Sequence, residues 1–90
     1  MQNDQAHISV DKAVETLNSK PALTIVATRV KDREVFYFAI SNKKYTLSNH
    51  EEMLAEEDNL KNLLEKALQD CTVFLEDKYT SQKIFQIVNK

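Results

Sequence analysis

Ala22-Leu23-Thr24-Ile25-Val26-Ala27-Thr28-Arg29-Val30 is followed by Lys31-Asp32-Arg33-Glu34 and then by Val35-Phe36-Tyr37-Phe38-Ala39-Ile40-Ser41. Both apolar segments are rich in the β-branched and aromatic residues that favour strands, and a charged tetrapeptide separates them. With Asp32-Arg33 as a two-residue loop, the reading pairs Lys31 with Glu34, Val30 with Val35, Arg29 with Phe36, Ala27 with Phe38 and Ile25 with Ile40. A second loop at Asn42-Lys43, where Asn tolerates positive φ, sets Tyr45 opposite Ile40 and Leu47 opposite Phe38. The two turns, read independently, gather Leu23, Ile25, Ala27, Phe36, Phe38, Ile40, Tyr45 and Leu47 on one face, with Arg29 at its end. A one-residue slip in either turn would scatter that set. The face is therefore expected to be covered, and the segment to form a three-stranded antiparallel meander.

The opposite face carries Thr24, Val26, Thr28, Val30, Val35, Tyr37, Ala39, Lys44 and Thr46. It is half apolar, too greasy for an ordinary solvent face and too polar for a core. Tyrosine among small aliphatics and threonines matches the composition of interface cores, so Val26, Thr28, Val30, Val35, Tyr37 and Ala39 are the candidate interface. Three occupants compete for it: the chain's own C-terminal segment, a second copy in a symmetric dimer, or a different protein.

Outward from the meander, Ser9 is placed to cap a short helix whose Val10, Ala13, Val14 and Leu17 recur at helical spacing, ending before Pro21. Residues 1–8 read as a disordered tail and 9–90 as one α+β domain. Beyond the third strand, Ser48-Asn49-His50-Glu51 has the form of a capping box. Met53, Leu60, Leu64, Ala67 and Cys71 follow on one stripe. The spacing predicts a long amphipathic helix over 49–69, bent near 57 or restarted there with Asp58 as a new cap, packed on the covered face. Thr72-Val73-Phe74-Leu75 predicts a short fourth strand. Residues 80–90 fit either a helix through Ile84, Ile87 and Val88 or a strand, and the helical spacing is preferred.

Composition bounds the function. Ninety residues, 29% charged and 42% apolar, belong to one ordinary globular domain with a thin core. Twelve basic and fourteen acidic side chains give a net charge of −2, which lacks the excess that draws proteins to phosphate backbones or anionic lipid. The chain contains no glycine, although average usage gives about six in this length. No phosphate-cradling or dinucleotide-binding loop is compatible with that. The single Cys71, the lack of an apolar run of membrane-spanning length and a polar N-terminus lead to an expected cytosolic location.

Chemistry-bearing residues are few. His50 lacks the second histidine of a helical zinc motif and His7 stands in a polar terminus. Cys71 continues an apolar stripe and reads as a small buried hydrophobe. Neither cofactor nor metal nor enzymatic activity is expected. Glu52, Glu56, Glu57 and Asp58 would form an acidic patch for docking a basic partner, which suggests an inhibitor that acts as a decoy for a DNA-binding protein. Tyr37 with Arg29 and Lys44 would serve a single-stranded nucleic-acid binder, by ring stacking beside cations. The preferred reading is a small adaptor, regulator or inhibitor that acts through protein contacts, as a homodimer joined through the second sheet face.

Overall fold

The computed structural model describes residues 6–89. Its elements in chain order are β1 (Ala6–Ser9), α1 (Val10–Ser19), β2 (Leu23–Arg29), β3 (Val35–Ser41), β4 (Lys44–Ser48), β5 (Met53–Glu57), α2 (Leu60–Leu68), β6 (Cys71–Asp77) and β7 (Lys83–Val88). Seven strands form one sheet in the order β1-β7-β6-β2-β3-β4-β5. All neighbours are antiparallel except β1 and β7. The sheet is thus mixed, and it has two helices on one side.

This corrects the expected architecture of a three-stranded meander under one long helix, with a terminal helix. Residues 49–57 are not helical. The Asn49 side chain accepts from the backbone N–H groups of Glu51 and Glu52, both at 2.9 Å, while the Asn49 N–H donates to the Glu52 carbonyl. That Asx-type turn competes directly with a helix cap at Ser48. It sends the chain back as β5, pairing Leu47 with Ala55 and Thr46 with Glu56. Leu-Ala-Glu-Glu is intrinsically helix-favouring, but backbone pairing along β4 and burial of Ala55 override propensity. The helix begins only at Leu60, where Asn59, rather than Asp58, accepts from the Asn62 N–H at 3.1 Å.

The C-terminal segment is a strand. β7 pairs with β6 and buries Ile87, so the helical spacing of Ile84, Ile87 and Val88 is overruled by β-branched content beside an available strand. Residues 6–8, expected within a disordered tail, belong instead to β1, because Ala6–Ser9 pairs in parallel with β7. Residues 1–5 of that segment lie outside the described residues.

The turn readings fare differently. Tyr45 pairs with Ile40 and Leu47 with Phe38, as the Asn42-Lys43 loop predicts, with φ of 50° and 64° at the two loop residues. The first hairpin is displaced by two residues: Ala27 pairs with Phe36 and Thr28 with Val35. The Arg29 N–H donates to the Glu34 carbonyl and the Arg33 N–H to the Arg29 carbonyl, both at 2.8 Å, which closes a four-residue loop over Val30–Arg33. A shift of two preserves the side-chain parity of each strand.

One face of the sheet is consequently sealed. Ile25, Ala27, Phe36, Leu47, Val73, Leu75 and Ile87 meet Val10 and Ala13 of α1 and Leu63, Leu64 and Ala67 of α2 in one buried cluster. Ser9 caps α1 by accepting from the Lys12 N–H at 3.1 Å. Ile40 has the expected parity but is 63% exposed, at the end of β3 that runs on past the β2–β3 ladder.

Candidate interaction surface on the open sheet face

With both helices on one side, strand alternation assigns the other face to Thr24, Val26 and Thr28 of β2, Val35, Tyr37 and Ala39 of β3, and Lys44 and Thr46 of β4. β6 and β7 add Thr72, Phe74, Glu76, Lys83 and Gln86, which the four-strand expectation left out. The sequence marked Thr72-Val73-Phe74-Leu75 as a short strand. What it lacked was any sign that this strand lies beside β2.

Val26 occupies the middle of the face, opposite Tyr37 on one side and Phe74 on the other. The two rings flank it, and Val26 is only 4% exposed although no described helix covers it, whereas Tyr37 is 57% exposed. The Lys83 ammonium lies 5.5 Å from the Phe74 ring centroid and 3.7 Å from the Glu76 carboxylate. Thr46 is buried and its hydroxyl donates to the Ala39 carbonyl at 3.3 Å. The surface thus combines exposed aromatic area, threonines and a cation held over a ring.

Of the six candidate interface residues, Val26, Thr28, Val35, Tyr37 and Ala39 share this face. Val30 does not. It lies in the β2–β3 loop, exposed, with its N–H donating to the Asp70 carbonyl at 2.9 Å.

The four acidic residues are not gathered on one helix, since residues 49–57 form a turn and a strand. Glu52 sits in the β4–β5 turn and accepts from Arg29 at 2.8 Å. Glu57 meets Lys66 at 3.4 Å and Asp58 contacts Lys44, while Glu56 points to the open face opposite Thr46. The Asp58 partnership raises the Lys44 pKa.

Arg29 has the parity of the covered face, away from Tyr37. Its guanidinium lies 5.0 Å from the Phe36 ring centroid and forks onto Asp32 at 3.1 and 2.8 Å and onto Glu52 at 2.8 and 3.1 Å. These hydrogen bonds hold both carboxylates below their ordinary pKa and raise that of the guanidinium. Tyr37, Arg29 and Lys44 therefore do not form one patch.

Among the described residues no three His, Cys, Asp or Glu side chains stand together as a metal-ligand set. His50 is exposed in the β4–β5 turn, 4.0 Å from Glu51, and His7 lies on the edge strand β1. Cys71 is buried at the start of β6, and desolvation, with help from Asp70, pushes its thiol pKa up. It borders a surface cleft of about 420 Å³ at the end of α2 that also contains Arg29, Lys31 and Asp70. No described helix is long and apolar enough to cross a membrane. Comparison with protein-family models, curated proteins and solved structures finds no match to this chain.

Proposed function

We propose that this chain is a small non-enzymatic protein-interaction module, an adaptor, regulator or inhibitor, that self-associates through the open face of its sheet in a cytosolic setting. The observation that carries the reading is Tyr37, 57% exposed at the middle of an uncovered face beside Val26, Val35 and Phe74. Flanking Val26 uses only part of the Tyr37 ring and leaves most of its area exposed, and tyrosine in a setting of small side chains is a common anchor of interfaces. Both lysines of the face stand beside carboxylates, Lys83 on Glu76 and Lys44 on Asp58, and Glu56 adds a further negative charge. That favours a protein partner over a polyanion. Single-stranded nucleic-acid binding through Tyr37 and Lys44 remains the contrasting reading, but Arg29 contributes nothing to it from the other side of the sheet.

Light scattering across a dilution series tests the proposal, with wild type and Tyr37→Glu compared. A wild-type dimer that the substitution converts to a folded monomer is expected. A wild type that stays monomeric at every concentration overturns self-association. Salt-sensitive retention on single-stranded nucleic acid, lost in Tyr37→Ala, would favour the contrasting reading.

A further inference from the structure

Strand pairing arranges the open face in rows that run across the strands. The middle row reads Ser48, Tyr37, Val26, Phe74 and Gln86, from β4 through β3, β2 and β6 to β7. One row towards the start of β2, Glu56, Thr46 and Ala39 stand on one side of Thr24, and Glu76 and Lys83 on the other. Each ring therefore lies one strand from the β2 line, on opposite sides. Lys83 lies two strands out on one side and Glu56 three strands out on the other. Glu56 is exposed and has no ion pair among the described residues.

We infer that the partner of this face is a second copy of the chain, related by a two-fold axis that runs along β2 and sets Tyr37 of each copy against Phe74 of the other. The inference rests on the self-association proposed above and supplies its register. Rotation about that axis exchanges the two sides of the face, so β3 of one copy meets β6 of the other and Val26 meets itself. The same rotation carries Lys83, whose ammonium lies 3.7 Å from Glu76 of its own copy, over Thr46, one strand spacing of about 4.8 Å from Glu56, so that a lysine side chain can stand between the two carboxylates. Two opposite-charge contacts form at once because the interface is isologous. An axis across the strands instead sets Tyr37 on Tyr37 and Lys83 on the row of Val88, where no carboxylate stands. Charge complementarity therefore selects the axis along β2. Five strands and three rows span about 24 Å by about 20 Å. The flat footprint of about 480 Å², enlarged by side-chain relief, is that of a small interface, below the roughly 800 Å² per partner of a standard one.

The test is the dimer dissociation constant of Lys83→Glu, Glu56→Lys and the two combined, with folding checked by circular dichroism. Each single substitution turns two attractive contacts into repulsive ones and is expected to raise the constant about tenfold, with the combination returning it to within about threefold of wild type. Lys83→Glu also places a carboxylate beside Glu76, so a second variant guards against a folding defect. Thr28 lies on the axis and faces itself, and Thr28→Cys in a Cys71→Ala background is expected to be joined into a covalent dimer by a short bis-maleimide. A wild-type dimer that ignores both single substitutions, that is not restored by the combination, or that fails to link through Thr28→Cys overturns the register while self-association stands. A wild-type monomer removes both.

Discussion

Arg29 is a cation at the end of the sealed face, and its side chain is only 12% exposed. Such a position is tolerable because stacking on Phe36 and two forked carboxylate contacts occupy the guanidinium. Asp32 comes from the β2–β3 loop and Glu52 from the β4–β5 turn, so one side chain ties two connections to the sheet. Both carboxylates have lowered folded-state pKa values because Arg29 hydrogen bonds to their charged forms. The unfolded chain therefore binds more protons as pH falls below the free carboxylate values of about 4, and folding weakens there. The stabilisation is present above that range and is lost as pH drops through the folded-state values. Urea midpoints between pH 7 and pH 3 should show this loss in wild type, while Arg29→Met should be less stable at pH 7 and less sensitive to acid. Arg29→Lys should not restore the wild-type profile, since an ammonium cannot fork onto both partners. The sequence reading placed Asp32 in the loop three residues from Arg29 but did not pair the two. Glu52 is twenty-three residues away, and the helix assigned to its segment hid the contact. Cys71 offers a second test at this scale. Its burial and raised pKa predict native-state alkylation at least about tenfold slower than in urea, measured by mass spectrometry over time.

Turns carry the element-level logic of a chain without glycine. Arg33, Asn42, Lys43 and Ser81 adopt φ between 50° and 65°, in the left-handed region that costs a residue with a Cβ more than it costs glycine. Lys43 follows Asn42 in the β3–β4 turn, where Asn-Gly is the favoured pair. Lys43→Gly should therefore raise the melting temperature by about 3–5 °C, read by calorimetry. A fall in melting temperature would contradict the assigned turn geometry. This turn was readable because two residues set it, and its register followed. The β2–β3 loop was misread by two residues, since Lys31-Asp32-Arg33-Glu34 contains no residue type that distinguishes a two-residue from a four-residue loop. Even parity kept the face assignment intact. Residues 49–57 failed for another reason: Ser48 and Glu51 look like a cap, but the side chain that acts is Asn49, and it closes a hairpin. At Asn59 the cap is real. Asn59→Ala should cost about 1 kcal/mol in urea unfolding, and Asp58→Ala should leave the helix start unchanged.

The molecule as a whole is organised by β2, which the chain first reaches at Leu23 and whose second neighbour arrives only at Cys71. β2 pairs with β6 over seven residues, from Leu23 with Asp77 to Arg29 with Cys71, whereas its ladder with β3 spans Val26 to Thr28. The more extensive of its two partnerships is thus the one that the meander does not contain. β1 depends on β7 in the same way, through a parallel ladder from Ala6 to Ser9. These contacts were not legible from the sequence pattern, because the β-leaning composition of Thr72–Leu75 reports a strand but not its neighbour, and a ladder linking residues some fifty apart leaves no local mark. The open face inherited the same gap: Tyr37 and Val26 were readable, while Phe74 and Lys83 required the position of β6 and β7. A fragment of residues 1–69 tests the consequence. It keeps both helices and β1 to β5, but it loses the strand on one side of β2 and the strand that holds β1, and leaves Ile25 and Ala27 without the Val73 and Leu75 side chains beside them. A three-stranded meander with a helix on it would fold alone, whereas a sheet centred on β2 would not, because the lost contacts exceed what a thin core spares. The expected result is a fragment with little far-UV ellipticity at 25 °C and collapsed amide dispersion, which recovers both on addition of a peptide covering residues 70–90. A cooperatively melting fragment would show that the first five strands are self-sufficient and that β6 and β7 are added to a finished domain.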